Sequence, residues 1–244
     1  MRLETLAEGE FELPDGAGDI EVSALTADSR QATPGTLFFA ISGAQADGAA
    51  FAGDAVNAGA VAVIASKAAK IDDLPVPVIR VDDPRLALAH AAARYYPDQP
   101  ETLVAVTGTA GKTSVATFVR QIWVEMGLPA VNLGTTGVEG TWAAPLAHTT
   151  PEPITLHRTL AEAAQNGITH AAMEASSHGL DQRRLDGVTL TAAGFTNFTQ
   201  DHLDYHETFE AYFDAKAALF ARVLPEDGTA VINVDDAKGV DMAA

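Results

Sequence analysis

The densest run of chemistry in the sequence is Thr107-Gly108-Thr109-Ala110-Gly111-Lys112-Thr113-Ser114. Glycines at this spacing let a backbone turn tightly enough to face several N–H groups toward one anion. A helix starting on the loop adds its partial positive charge. Lys112 is then placed to neutralise β- and γ-phosphates, and the Thr113 hydroxyl to hold Mg²⁺. Val106 occupies the first glycine position of the full G-x-x-x-x-G-K-[ST] pattern, so the match is partial. Gly108 to Ser114 reads as a loop for the phosphates of ATP. The plainer alternative is a glycine-rich turn with an exposed lysine.

Three further groups could complete such a site. Glu174 ends an apolar run, where a carboxylate on the same sheet edge as a phosphate loop can bind Mg²⁺ directly or through water. Asp201, His202 and His206 lie in a polar stretch after another apolar run and are candidates for metal or phosphate contacts, His202 ahead of His206. Lys216 shares a helical face with Tyr212, Phe213, Leu219, Phe220 and Val223 by three- and four-residue spacing. Desolvation on that face lowers an amine's pKa. A neutral amine can add CO₂ to give a carbamate, which is an anion able to bind metal. Pattern alone favours a lysine that lays its stem on apolar surface and keeps its amine in water.

The elements that must position these groups alternate. Strands are expected at Thr36 to Ser42, Ala60 to Ala65 and Val76 to Val81, with helices at Gly48 to Ala58 and Pro84 to Tyr95. Two prolines close together, Pro97 and Pro100, suit a linker. Beyond it, strands are expected at Leu103 to Thr107, Ala130 to Gly134, Ile168 to Glu174, Ala192 to Asn197 and Thr229 to Val234. Helices are expected at Lys112 to Met126, Glu152 to Asn166 and Glu207 to Leu224. This is an α/β chain: a small α/β domain over 1–97, then a mostly parallel sheet of P-loop type over 98–244 with helices on both faces. Ligands of such sheets sit beyond the carboxyl ends of the strands.

Composition bounds the function. The chain has 244 residues, 47% of them hydrophobic, which supports a real core rather than disorder. There is no cysteine, so disulfides and thiolate metal sites are excluded. The net charge of −18 opposes nonspecific binding to nucleic acid or an anionic membrane. No apolar run is long enough to span a bilayer and no signal peptide is seen, so a cytoplasmic protein is expected.

Taken together, the motifs resemble the Mur ligases, and among them the tripeptide synthetases that add the third residue of the peptidoglycan stem. The resemblance rests on Leu25-Thr26-Ala27-Asp28-Ser29-Arg30, Gly43-Ala44-Gln45-Ala46-Asp47-Gly48, the loop Thr107 to Ser114, Thr149-Thr150-Pro151, Met173 to Arg184, Phe195-Thr196-Asn197 with Asp201 to His206, and Tyr212 to Phe220. It implies that Ala27, Ser29 and the Ala44-Gln45-Ala46 turn surround a UDP group. It further implies that Gly108, Thr109, Ala110, Gly111, Lys112, Thr113 and Ser114 bind ATP, and that Thr149, Thr150, Ser176, Gln182 and Arg184 hold the MurNAc-dipeptide. Lys216 would be carbamylated and, with Thr113, Glu174 and His202, would hold Mg²⁺; Lys112, Lys216, Glu174 and His202 would be the catalytic set. The implied substrates are UDP-MurNAc-L-Ala-D-Glu and a diamino acid, meso-diaminopimelate being favoured by family frequency, and the implied form is a monomer. The family also has more central domain and a third domain, so a fragment that binds but turns over little is expected. Three positions depart from the pattern: Ala110 for asparagine, Ser114 for threonine and His148 for asparagine. The rival readings are another ligase of the superfamily, such as a folylpolyglutamate synthase, and a noncatalytic nucleotide-binding module.

Overall fold

The computed structural model describes residues 1–43, 46–201 and 203–244. The chain divides into two compact units, Met1–Tyr96 and Pro97–Ala244. In the first, β1 (Ala24–Thr26), β2 (Thr36–Ala40), β3 (Ala60–Ser66) and β4 (Val78–Val81) form a parallel sheet in that order. The unbroken apolar runs of β2 and β3 suit strands covered on both faces, and β2 is buried along its whole length. Helices α1 (Leu3–Ala7), α2 (Ala52–Asn57) and α3 (Pro84–Tyr95) belong to this unit. Asp83 caps α3 by accepting the N–H groups of Arg85 and Leu86, and Pro84 fills the first helical position. The helix expected from Gly48 begins instead as a tighter 3₁₀ turn, Gly48–Phe51, because Asp47 bonds the Ala49 N–H and draws the chain in. β1 escapes sequence reading because three residues carry no readable period.

The second unit is built on β5 (Thr102–Thr107), β6 (Ala130–Gly134), β7 (Gly137–Gly140), β8 (His170–Glu174), β9 (Ala192–Phe195) and β10 (Thr229–Ile232). Their spatial order is β10-β9-β5-β8-β6-β7, parallel except for the β6–β7 hairpin. Its helices are α4 (Lys112–Glu125), α5 (Pro153–Gln165), α6 (Ser177–Asp181), α7 (Leu203–His206), α8 (Phe209–Ala218) and α9 (Ala237–Ala243). Leu103, Ala105, Val131, Leu133, Leu156, Leu160, Met173, Leu180, Leu185 and Leu219 fill one continuous core. The chain leaves β5 for β6 on one side, inserts β8 between them, and crosses to β9 on the other side. The strand order therefore reverses at the carboxyl end of β5, where such sheets open a crevice for ligand.

Two elements differ from expectation for reasons that bear on that crevice. β9 stops at Phe195, because Thr196 and Asn197 turn to bond the loop after β5 rather than extend the sheet. The helix expected to run to Leu224 is α-helical only to Ala218 and closes on one π turn, Leu219–Val223. No helix among the described residues is long and apolar enough to cross a membrane.

Candidate functional site

The loop between β5 and α4 is held from outside as much as by its own glycines. Gly108 has a φ of +140° and Gly111 one of +87°. A Cβ on Gly108 would lie 1.9 Å from the Thr196 hydroxyl, so no other residue fits there. Thr196 Oγ1 donates to the Ala110 carbonyl at 2.7 Å. The Asn197 side chain accepts the Ala110 N–H at 3.0 Å and donates to the Ala110 carbonyl at 3.1 Å. Ala110 has no polar side chain, but its backbone is clamped on both sides. Thr109 is held by the Asn197 carbonyl and by a hydroxyl exchange with Thr199. Thr196 and Asn197 carried part of the resemblance in sequence without an assigned role, and the structure shows them holding this loop.

Glu174 is buried, 2% exposed, and its two oxygens are divided. Oε2 accepts the Thr113 hydroxyl at 2.9 Å, and Oε1 accepts the Thr135 backbone N–H at 2.9 Å. Close approach depends on Gly134, where a Cβ would fall 1.9 Å from Oε1. A buried carboxylate beside a hydroxyl is a pair of hard oxygen donors of the kind Mg²⁺ takes while keeping several waters. Among the described residues no group of three His, Asp or Glu side chains is gathered for a metal.

Lys216 is 1% exposed, which overturns the reading of its amine as water-borne. Its Nζ donates to the Gly108 carbonyl at 2.9 Å and lies 4.3 Å from the centre of the Tyr212 ring. Lys112 Nζ donates to the same carbonyl at 2.9 Å and to the Thr109 carbonyl at 3.0 Å. Two amines therefore converge on one oxygen of the phosphate loop. Burial, with the Lys112 charge second, lowers the Lys216 amine to about 7. Lys112 is lowered by burial too, against the opposing pull of Glu174 and Asp201. Tyr212 contacts Thr109 through its hydroxyl at 3.2 Å, and burial raises its pKa.

Next to Glu174 lies a second polar cluster. Thr150 Oγ1 donates to the Glu174 carbonyl at 2.9 Å and accepts the Ser176 N–H at 3.0 Å. Arg184 donates to the Thr150 carbonyl at 2.7 Å and to Gln182 at 2.8 Å. Gln182 reaches the Tyr205 hydroxyl, which donates to Asp181. Thr149 Oγ1 is 3.0 Å from Thr135 Oγ1, so Thr135 touches both this cluster and Glu174. Ser176 caps α6 through the Gly179 N–H. His206 is packed against the rings of His178, Tyr205 and Tyr212. Ser114 is exposed on the first turn of α4, and Asp201 and His148 are exposed. In the first unit, Ala27 is exposed after β1, Ser29 opens a 3₁₀ turn, and the Ala46 carbonyl accepts the Gly43 N–H. Ala44, Gln45 and His202 lie outside the described residues.

Residues 106–244 match the model of the Mur ligase middle domain, and residues 21–96 that of the Mur ligase family catalytic domain. The chain is 55% identical over 237 residues to a UDP-N-acetylmuramoyl-L-alanyl-D-glutamate–2,6-diaminopimelate ligase of Brucella melitensis, covering 97% of this chain and 49% of that protein. It is 59% identical over 220 residues to the protein of that name in Agrobacterium fabrum, covering 90% of this chain and 44% of that one. A solved structure of such a ligase superposes with a TM-score of 0.82 at 31% identity, over 100% of this chain and 49% of the other. A structure of UDP-N-acetylmuramoylalanyl-D-glutamyl-2,6-diaminopimelate–D-alanyl-D-alanyl ligase from Acinetobacter baumannii shares the fold at 22% identity with a TM-score of 0.58, over 98% of this chain and 49% of that one. The chain spans about half the length of the curated relatives it matches. With its middle-domain match covering the phosphate loop, Glu174 and Lys216 together, the chain belongs to the Mur ligase family.

Proposed function

We propose that this chain carries the nucleotide and dipeptide sites of an ATP-dependent ligase that joins a diamino acid to UDP-MurNAc-L-Ala-D-Glu. The observation that carries the reading is the convergence of Lys112 and Lys216 on the Gly108 carbonyl, in a loop whose Thr113 meets Glu174. The names of the relatives support 2,6-diaminopimelate as the amine donor. Overall, the γ-carboxylate of D-glutamate takes the γ-phosphoryl of ATP, the diamino acid's amine attacks the acyl phosphate, and phosphate leaves.

Each residue has a share in this. The amides from Gly111 to Ser114 bind phosphate oxygens at the start of α4, while those of Thr109 and Ala110 stay on Asn197. Lys112 leaves the Gly108 and Thr109 carbonyls to meet the β- and γ-phosphates, which offsets repulsion between carboxylate and triphosphate. Thr113, Glu174 and the carbamate of Lys216 would hold Mg²⁺, with His202 as a further member; the ion supplies charge neutralisation of the transferring phosphoryl group. An amine lowered to about 7 is largely neutral above that pH, so the Lys216 lone pair can add to the carbon of CO₂ while one N–H proton leaves to water. Thr149, Thr150, Ser176, Gln182 and Arg184 would hold the dipeptide, the planar Arg184 fork matching a carboxylate. Ala27, Ser29, Ala44, Gln45 and Ala46 would hold the uridine nucleotide. Both nucleotide substrates belong to the cytoplasm, and we assign one chain to each site.

Calorimetric titration against a ligand panel tests the reading. UDP-MurNAc-L-Ala-D-Glu is expected to bind, and UDP-MurNAc-L-Ala and a folate to bind far more weakly. Equal binding of the folate would favour the folylpolyglutamate branch instead. Turnover by this chain alone is expected to be low, and brisk ADP release that depends on both dipeptide and diaminopimelate would contradict that part.

A further inference from the structure

We propose that Arg222 and Asp186 form a clamp that fixes the Lys216-bearing helix to the loop presenting Arg184, which makes both of them positioning residues for the dipeptide end of the site. The consequence for the dipeptide rests on the function proposed above; the clamp itself rests on geometry. The loop begins where α6 ends. The Arg184 N–H bonds the Gly179 carbonyl at 2.8 Å and the Arg183 N–H bonds the Leu180 carbonyl at 3.2 Å. That is the Schellman way of closing a helix, and it requires the left-handed conformation at Arg183, whose φ is +61°. Glycine usually takes this position, and an arginine there is strained. Something must therefore hold the turn, because its geometry decides where the Arg184 guanidinium points.

Asp186 and Arg222 supply that hold. The Asp186 carboxylate is 5% exposed. It accepts Arg222 Nε at 2.9 Å on one oxygen and Arg222 Nη2 at 3.2 Å on the other, the two-pronged arrangement that fixes orientation as well as distance. Arg183 adds a weaker contact at 3.4 Å. The Arg222 guanidinium also donates to the Leu180 carbonyl at 2.6 Å, so it grips the end of α6 and the following loop at once. Arg222 stands on the π turn that closes α8, six residues after Lys216. π turns let a side chain leave a helix in a direction the regular ladder does not offer. Lys216 ties the same helix to the phosphate loop through the Gly108 carbonyl. One helix thus spans from the phosphate loop to the dipeptide loop, fastened at both ends, about 9 Å apart along its axis. Deleting the arginine would leave Asp186 buried with only its distant contact to Arg183, a costly state that a shift of the loop relieves.

The test uses Arg222→Met and Arg222→Lys in the 244-residue chain. Three readouts are taken: affinity for UDP-MurNAc-L-Ala-D-Glu, affinity for a Mg²⁺-bound non-hydrolysable ATP analogue, and backbone hydrogen exchange. Arg222→Met is expected to weaken dipeptide binding about tenfold while leaving nucleotide affinity within about twofold. Exchange is expected to quicken at Arg183, Arg184 and Asp186 and in α8, with the phosphate loop unchanged. Arg222→Lys, which keeps one of the two grips, is expected to recover part of each change, and it carries the comparison if the methionine variant does not fold. Equal loss of both affinities would mark a general loosening and overturn the proposal, as would unchanged exchange at the loop or unchanged dipeptide affinity despite faster exchange. If the unaltered chain binds no dipeptide, the proposed function falls, and the exchange pattern alone decides the clamp: quickening confined to the loop and α8 sustains it, and its absence refutes it.

Discussion

Replacing Gly134 with alanine adds one methyl group at a residue assigned to no ligand, yet it is expected to disable the proposed metal-nucleotide site. The added Cβ would fall 1.9 Å from Glu174 Oε1, 2.6 Å from its Cδ and 2.9 Å from its Cγ. Gly134 is not in the left-handed region, so alanine meets no backbone penalty and the whole effect comes from the displaced carboxylate. Glu174 cannot yield without releasing the Thr113 hydroxyl and the Thr135 N–H. Hydrogen bonds to a charged group contribute about 1.5–3 kcal/mol each, and a buried carboxylate that re-forms part of this elsewhere leaves an expected loss of roughly 2–4 kcal/mol. Gly194→Ala is the control, since its Cβ would meet Val106 methyl groups at 3.7 and 3.8 Å, ordinary contact. The assay is urea unfolding of both variants, with binding of a non-hydrolysable ATP analogue measured with and without Mg²⁺. Gly134→Ala should lose stability and the Mg²⁺-dependent part of binding, and Gly194→Ala should lose neither. Shortening the acid in the double variant Gly134→Ala/Glu174→Asp should restore part of the stability. A Gly134→Ala protein matching Gly194→Ala in both respects would refute the assignment of Glu174 to a fixed metal-facing position.

Two other outcomes follow from the same contacts. Lys216 is lowered to about 7 in the folded chain but keeps an ordinary lysine pKa when unfolded, so between about pH 7 and 10 the unfolded state binds the extra proton. The stability of the unaltered chain minus that of Lys216→Met should therefore rise with pH across that window, by up to about 1.4 kcal/mol per unit, and flatten below pH 7. Urea unfolding in CO₂-free buffer at several pH values measures this, and a flat difference would count against a buried neutral amine. Arg183→Gly relieves a left-handed side chain and removes its 3.4 Å ion pair with Asp186, and should raise the unfolding free energy by about 0.5 kcal/mol. A fall would show that the Arg183–Asp186 contact outweighs the strain.

The parts legible in the sequence were those with period and punctuation. Pro84 to Tyr95 and Ala130 to Gly134 come out as expected because a capping Asp-Pro pair and an apolar strand bounded by Pro129 and a glycine state their own limits. The strand–loop–helix form around Gly108 to Ser114 was legible because its pattern is local. The residues that hold that loop were not. Thr135, Thr196 and Asn197 act through bonds to residues 39 to 87 positions away, and no local pattern marks such a pairing. Lys216 shows the limit most clearly: its apolar neighbours were visible, but whether its amine reached water or Gly108 depended on how α8 packs. The clamp between Asp186 and Arg222 was invisible for the same reason, since the two residues stand 36 positions apart.

The central claim is that the loop from Gly108 to Ser114, with Glu174 and Lys216, forms one metal-nucleotide site. A crystal structure of the chain with Mg²⁺ and a non-hydrolysable ATP analogue tests it most directly. The phosphates are expected against the loop amides, Lys112 Nζ moved from the Gly108 carbonyl onto them, and the metal on the Thr113 hydroxyl beside Glu174. Phosphates bound elsewhere, or Lys112 still seated on Gly108 with nucleotide present, would contradict it.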